Sequence, residues 1–239
     1  NSIWRRPSTK QWLWWGGRNW GGSCCVYTID VYNNYLYGVG TNNNVYRKAL
    51  SGGSWKRLTP GSVNLIKCYK DKIYARGFDS RIYTAPIGGG SWTKLDISNW
   101  QLRDFDIYDG YLYGLGMNRA VYKRKLSGGS WINVAGGSVR EIHIYGGYVY
   151  GIGMNWWIYR VPITGGGWSR LPMSCCVKKI TIADGKMFGL GMNNSLWFKE
   201  NAPLPYSSNI VTPIGGYKDN RYRALPRYLG SCGTKDNVE

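Results

Sequence analysis

The chain has 239 residues, with 34 Gly, 20 Tyr, 13 Trp and only 4 Phe, and charged residues make up 18% of it. No apolar run approaches the roughly 18 residues a membrane-spanning helix needs, so no membrane span is expected, and the Gly and aromatic excess predicts short strands joined by Gly turns. The formal charge of +18, from 31 Lys and Arg against 13 Asp and Glu, favours acidic partners: anionic glycans, lipopolysaccharide phosphates, nucleic acid or an anionic membrane surface.

From the start of the chain, Ile3-Trp4-Arg5-Arg6-Pro7 reads as a third strand and the Trp12 to Trp15 cluster as a fourth. A repeat then takes over. Tyr35-Leu-Tyr-Gly-Val-Gly40 returns as Lys72 to Gly77, Tyr111 to Gly116, Tyr148 to Gly153 and Lys186 to Gly191. The central aromatics Tyr37, Tyr74, Tyr113, Tyr150 and Phe188 stand 37, 39, 37 and 38 residues apart.

Each copy divides into four strand-sized pieces. The first alternates apolar and polar residues, so Ile29 and Val31, Ile66 and Cys68, Phe105 and Ile107, Ile142 and Ile144, and Ile180 and Ile182 are expected on a buried face. The Tyr-Gly strand follows, then a polar loop, then a third strand such as Val45-Tyr46-Arg47 or Ile158-Tyr159-Arg160. A Gly-rich turn leads to the fourth strand, headed by Trp55, Trp92, Trp131 or Trp168. These tryptophans are expected to pack between units.

A four-stranded unit of about 38 residues cannot bury a core alone, so neighbours must stack. The predicted fold is all-β: a six-bladed β-propeller of four-stranded antiparallel blades, one domain over residues 1–239. The repeats run approximately 23–61, 62–98, 99–137, 138–173 and 174–206, and a closing blade is assembled from 207–230 plus 1–22. Five blades is the alternative, and an open solenoid is the rival that lacks the polar end caps it needs.

Six cysteines occur as Cys24-Cys25, Cys68, Cys175-Cys176 and Cys232. The two Ser-Cys-Cys-Val sequences hold equivalent positions in the first and fifth units. Cys68 reads either as a buried small hydrophobe or as the disulfide partner of Cys232. No zinc spacing is present, and the even cysteine count with the sequon Asn193-Asn194-Ser195 predicts a secreted, disulfide-bonded protein.

No catalytic set stands out, and neither a cofactor nor a metal is expected. His143, the one histidine, lies between two inward-facing isoleucines and reads as a surface or inter-blade residue. Asp104 and Asp106 read as solvated charges on the outward face of a first strand. The binding candidates sit in the loop between second and third strands, where a polar residue recurs as Asn42, Asp79, Asn118, Asn155 and Asn193. Such groups hydrogen-bond sugar hydroxyls, and Trp156 offers a ring for a pyranose face. The alternative is that Asn and Asp suit the turn. Arg47, Lys123 and Arg160 on the third strands are candidate contacts to anionic groups.

The order Trp55-Lys-Arg-Leu-Thr-Pro-Gly-Ser-Val, then Ile66, Ile73-Tyr74 and Ile82-Tyr83, resembles the tectonin repeat of tachylectin-1-like and fish-egg lectins. The same order returns from Trp92, Trp131 and Trp168. The resemblance implies a six-bladed ring, secretion and recognition of bacterial surface polysaccharide or modified sugars. The Gly-Gly-Ser-Trp turns, the Gly-Met-Asn loops and the paired cysteines depart from that pattern. The expected function is a multivalent lectin for acidic or bacterial glycans such as lipopolysaccharide in innate defence. The alternative is a structural, matrix or adhesive protein binding polyanions. Nucleic acid is disfavoured, because the aromatics recur at strand positions rather than along one groove.

Overall fold

The structure, a computed structural model, describes residues 4–5, 13–14, 26–95, 100–172, 174–183, 186–193 and 196–199. The predicted strands within 207–230, the cysteines Cys24, Cys25 and Cys232, and the sequon residues Asn194 and Ser195 lie outside the described residues. The chain forms two compact units, residues 1–102 and 103–239.

In the first unit β1 (Trp4–Arg5) pairs antiparallel with β2 (Leu13–Trp14). This is the pairing expected for a third and a fourth strand. Two four-stranded antiparallel sheets follow. One is β3 (Val26–Tyr32), β4 (Tyr35–Gly40), β5 (Val45–Ala49) and β6 (Gly52–Thr59), paired in that order. The other is β7 (Val63–Tyr69), β8 (Lys72–Gly77), β9 (Ile82–Pro86) and β10 (Thr93–Lys94).

The second unit repeats the plan. It holds a sheet of β11 (Leu102–Tyr108, its first residue at the unit boundary), β12 (Tyr111–Gly116), β13 (Val121–Lys125) and β14 (Ile132–Ala135). Next comes one of β15 (Val139–Tyr145), β16 (Tyr148–Gly153), β17 (Ile158–Pro162) and β18 (Ser169–Arg170). A three-stranded sheet of β19 (Val177–Ala183), β20 (Lys186–Gly191) and β21 (Leu196–Lys199) ends the described part.

The core forms between consecutive sheets, which is why one repeat cannot stand alone. In the first unit Ile66 and Ile73 of the second sheet share a cluster with Tyr37, Val39 and Val45 of the first. In the second unit Ile142, Ile144 and Val149 meet Tyr113, Leu115 and Val121, and Ile180, Ile182 and Met187 meet Tyr150, Ile152 and Ile158. Within each unit the first-strand apolar face of a following sheet is therefore covered by the sheet before it. That rule corrects one expectation: Ile29 and Val31 are 49% and 56% exposed. Among the described residues no four-stranded sheet precedes β3 to cover them.

Asp104 and Asp106 are a second correction. They are 9% and 6% exposed rather than solvated. Asp104 accepts the Phe105 N–H at 2.9 Å with one oxygen and the Ile142 N–H at 2.8 Å with the other. Asp106 does the same for Ile107 at 2.9 Å and Ile144 at 2.8 Å. In the first unit Asp30 accepts the Val31 N–H and reaches Cys68 N at 2.6 Å. A carboxylate on one first strand thus clamps the backbone of the next, and satisfies amides that no ladder partner reaches.

His143 continues the series. Its Nδ1 lies 3.4 Å from Asp106 and its Nε2 lies 3.3 Å from Ile182 N. The tautomer protonated at Nδ1 donates to Asp106 and accepts from Ile182. Two tryptophans link sheets as predicted. Trp92 Nε1 donates to Pro60 O at 2.9 Å, and Trp168 Nε1 donates to Gly136 O at 2.6 Å. Cys68 is a free thiol, half-buried, and burial first and the Asp30 carboxylate second push its pKa up.

Candidate functional site

The loops joining second to third strands share one construction. In the β4–β5 loop Gly40 N donates to Asn44 O at 2.9 Å and Asn43 N donates to Gly40 O at 2.8 Å. Asn43 takes φ 63°. Ser80, Arg119 and Trp156 hold the same place at φ 63°, 65° and 66°, with equivalent backbone bonds. These are three-residue hairpin loops ending in a left-handed residue.

The recurring amide or carboxylate sits just before that residue and is exposed in every copy. Asn42 Oδ1 accepts the Asn44 N–H at 3.2 Å and its Nδ2 donates to Tyr46 Oη at 2.8 Å. Asn118 holds Ala120 N and Tyr122 Oη at 3.1 and 2.9 Å, and Asn155 holds Trp157 N and Tyr159 Oη at 3.3 and 2.9 Å. Asp79 accepts from both Arg81 N at 3.1 Å and Tyr83 Oη at 2.8 Å. That last bond, ahead of burial, raises the pKa of Tyr83. Asn193 is exposed at the equivalent tip.

This packing also explains the glycine two residues earlier. A Cβ on Gly116 would stand 2.7 Å from Asn118 Oδ1 and 3.2 Å from the Tyr122 ring, and one on Gly153 would stand 2.6 Å from Asn155 Oδ1 and 2.7 Å from the Tyr159 ring. Gly-x-Asn therefore belongs with a Tyr four residues beyond the Asn. That longer motif was readable in the sequence as the spacing from Asn42, Asp79, Asn118 and Asn155 to Tyr46, Tyr83, Tyr122 and Tyr159.

Trp156 is half-buried, and the Arg140 guanidinium lies 3.5 Å from its ring centroid. The same guanidinium donates to Gly153 O at 3.3 Å and Met154 O at 2.9 Å. One ring face is thereby covered by a cation bound to its own hairpin tip.

Arg47, Lys123 and Arg160 do not gather with these tips. Arg47 and Arg160 stack over Tyr35 and Tyr148, each 4.7 Å from the centroid, and Lys123 lies 5.6 Å from that of Tyr111. Those tyrosines begin β4, β16 and β12, at the end of each hairpin away from its tip. Lys123 also donates to Ile163 O at 2.7 Å. Arg47 and Arg160 hydrogen-bond the buried Tyr37 and Tyr150, whose pKa values burial nonetheless holds above the usual phenol range.

The Gly-Met-Asn loops stand out in the sequence, but their pattern alone assigns no role to the residue between Gly and Asn at each tip. Phe78, Met117, Met154 and Met192 are 59%, 48%, 44% and 41% exposed there. Their shared place in the repeat was the signal that could have found them.

No family model matches the chain, and no curated protein matches it. Solved structures do. A structure described as YCF48 bound to D1 peptide matches with a TM-score of 0.56 and 13% identity, covering 84% of this chain and 72% of that one. The computationally designed Ika8 protein matches with a TM-score of 0.53 and 9% identity, covering 75% of this chain and 59% of that one, less than two thirds of the designed chain's length. The chain is a β-propeller. Its blades are the four-stranded antiparallel sheets, of which four have all their strands among the described residues. In this propeller the Gly-x-Asn hairpins are blade tips, and two of those in the second unit adjoin, since Arg119 Nη1 of the β12–β13 tip lies 2.8 Å from Met154 Sδ of the β16–β17 tip.

Proposed function

We propose that the protein is a multivalent carbohydrate-binding propeller, a lectin for acidic or bacterial surface glycans such as lipopolysaccharide in innate defence. One observation carries the reading: an exposed amide, held by the same two local bonds to a backbone N–H and a tyrosine hydroxyl, recurs at the tips of Asn42, Asn118 and Asn155. Asn118 and Asn155 each use one amide hydrogen and one oxygen lone pair internally. An amide has two of each, so one of each is left for a sugar hydroxyl. Fixing the side chain beforehand lowers the entropy lost on binding. Several weak sites on one molecule gain avidity on a repetitive cell surface. The formal charge of +18 favours anionic glycans, with Arg103, Arg119 and Arg140 among the cations at the tips.

Six blades, secretion and disulfides at the two Cys-Cys pairs belong to the same proposal, as does membership of the tectonin-repeat lectins. The β1–β2 pair supports a sixth blade, and the even cysteine count and the sequon support an oxidising compartment. The test is glycan-array and lipopolysaccharide binding, with soluble-sugar inhibition at two salt concentrations. Binding that a free sugar inhibits, and that Asn118→Ala with Asn155→Ala weakens, is the expected result. Folded protein silent on both surfaces overturns it. Salt-sensitive binding with no sugar competitor supports instead a matrix or adhesive protein for polyanions, the reading favoured by net charge alone.

A further inference from the structure

We propose that the tips of the second unit carry a lipid-insertion edge, in which Met117, Met154 and Met192 enter the interfacial layer of an anionic bilayer while neighbouring arginines meet its headgroups. The fold does not call for apolar side chains at these positions. Thr41 occupies the equivalent place at the β4–β5 tip, exposed, with the same hairpin bonds around it. Yet the three tips of the second unit each present a methionine with two fifths or more of its surface in water. A methionine thioether is apolar, flexible and adaptable to an irregular partner.

The charges beside them select the occupant. Arg103 donates to Met117 O at 3.0 Å, Arg119 reaches Met154 Sδ, and Arg140 donates to Met154 O. These bonds leave each guanidinium with further donors, since the group carries five N–H bonds. The tip segments 116–120, 153–157 and 191–195 contain no Asp or Glu. Apolar points without acids in their tip segments, two of them set among fixed cations at Met117 and Met154, match the boundary between acyl chains and anionic headgroups. The proposal concerns lipid, not sugar, so it stands or falls apart from the glycan reading.

The experiment is co-sedimentation of the full chain with vesicles of phosphatidylcholine alone and with about one third phosphatidylglycerol. Binding to the anionic vesicles is expected, with Met117, Met154 and Met192 protected there from peroxide oxidation to the sulfoxide. Replacing each with Thr, the residue already present at the β4–β5 tip, should lower partitioning by about fivefold per site and on the order of 100-fold for the triple variant. Circular dichroism and the melting temperature of that variant should match the parent. No sedimentation with either vesicle overturns the proposal. So does anionic binding that the triple variant retains, which assigns attachment to charge alone. Methionine protection by self-association without lipid overturns it in favour of a second copy of the chain.

Discussion

Asp104 is the residue at which a substitution should do most damage for its size. The residue is 9% exposed and its carboxylate accepts two backbone N–H groups, Phe105 at 2.9 Å on its own strand and Ile142 at 2.8 Å on the next sheet. Charge-assisted hydrogen bonds contribute about 1.5–3 kcal/mol each, and an orphaned buried amide costs about 1–3 kcal/mol. Asp104→Ala loses both bonds and should destabilise by roughly 3–5 kcal/mol. Asp104→Asn keeps the shape, but whichever way the amide turns its NH₂ faces one of the N–H donors, so roughly 2–3 kcal/mol is expected. Glu141 holds the same strand position in the following sheet and supplies the control. It pairs at 2.9 Å with Lys179, whose side chain is 68% exposed, so Glu141→Gln should cost less than about 1 kcal/mol. Urea unfolding followed by tryptophan fluorescence measures all three. If Asp104→Asn falls within about 0.5 kcal/mol of Glu141→Gln, the clamp contributes nothing and the reasoning fails.

Three further outcomes are expected. Gly153→Ala should lower stability by about 1–3 kcal/mol through overpacking at the blade tip, and Gly137→Ala should be worse, because its Cβ would run into the Arg119 backbone carbonyl; thermal melts compare both with the parent. Trp168→Phe keeps most of the ring packing and loses the 2.6 Å bond to Gly136 O, a cost of about 1 kcal/mol against the 3–5 kcal/mol expected of Trp168→Ala, read from the same melts. Burial raises the pKa of Tyr113 to about 12, and those of Tyr37, Tyr74 and Tyr150 in the same direction. The folded protein therefore holds phenol protons that the unfolded chain releases near pH 10, so stability should be full below about pH 10 and fall as the pH rises towards about 12. Phenolate absorbance against pH, alongside unfolding, checks this; buried tyrosines that titrate with the exposed ones at unchanged stability would refute it.

The repeat, the strand order and the inter-sheet tryptophans were legible because period-two alternation and a spacing near 38 residues survive in five copies. The same alternation misled at Asp104 and Asp106. It places a side chain on the face opposite Phe105 and Ile107 correctly, but it does not say that the neighbouring first strand runs close enough to use the carboxylate. At Ile29 and Val31 the pattern predicts burial, whereas burial depends also on a preceding sheet, and among the described residues only the β1–β2 pair precedes β3. The candidate site was legible in part. Asn42, Asp79, Asn118 and Asn155 were picked out as recurring polar groups, while their tyrosine partners were taken only as strand residues. Arg47, Lys123 and Arg160 read as contacts to anionic groups, but strand position alone does not tell which way a long side chain leans along the hairpin, and stacking on Tyr35, Tyr111 and Tyr148 decides it.

The carboxylate clamps bear on how such a chain can diversify. The acceptor is a side chain, but the donor is the peptide unit of the following repeat, which every residue other than proline supplies. Only one half of each joint is written in the genetic text. The receiving strand is left free to drift, as Cys68, Ile142 and Ile144 illustrate, and a repeat that carries such a carboxylate, copied or exchanged whole, would bring its own fastening for whatever came after it.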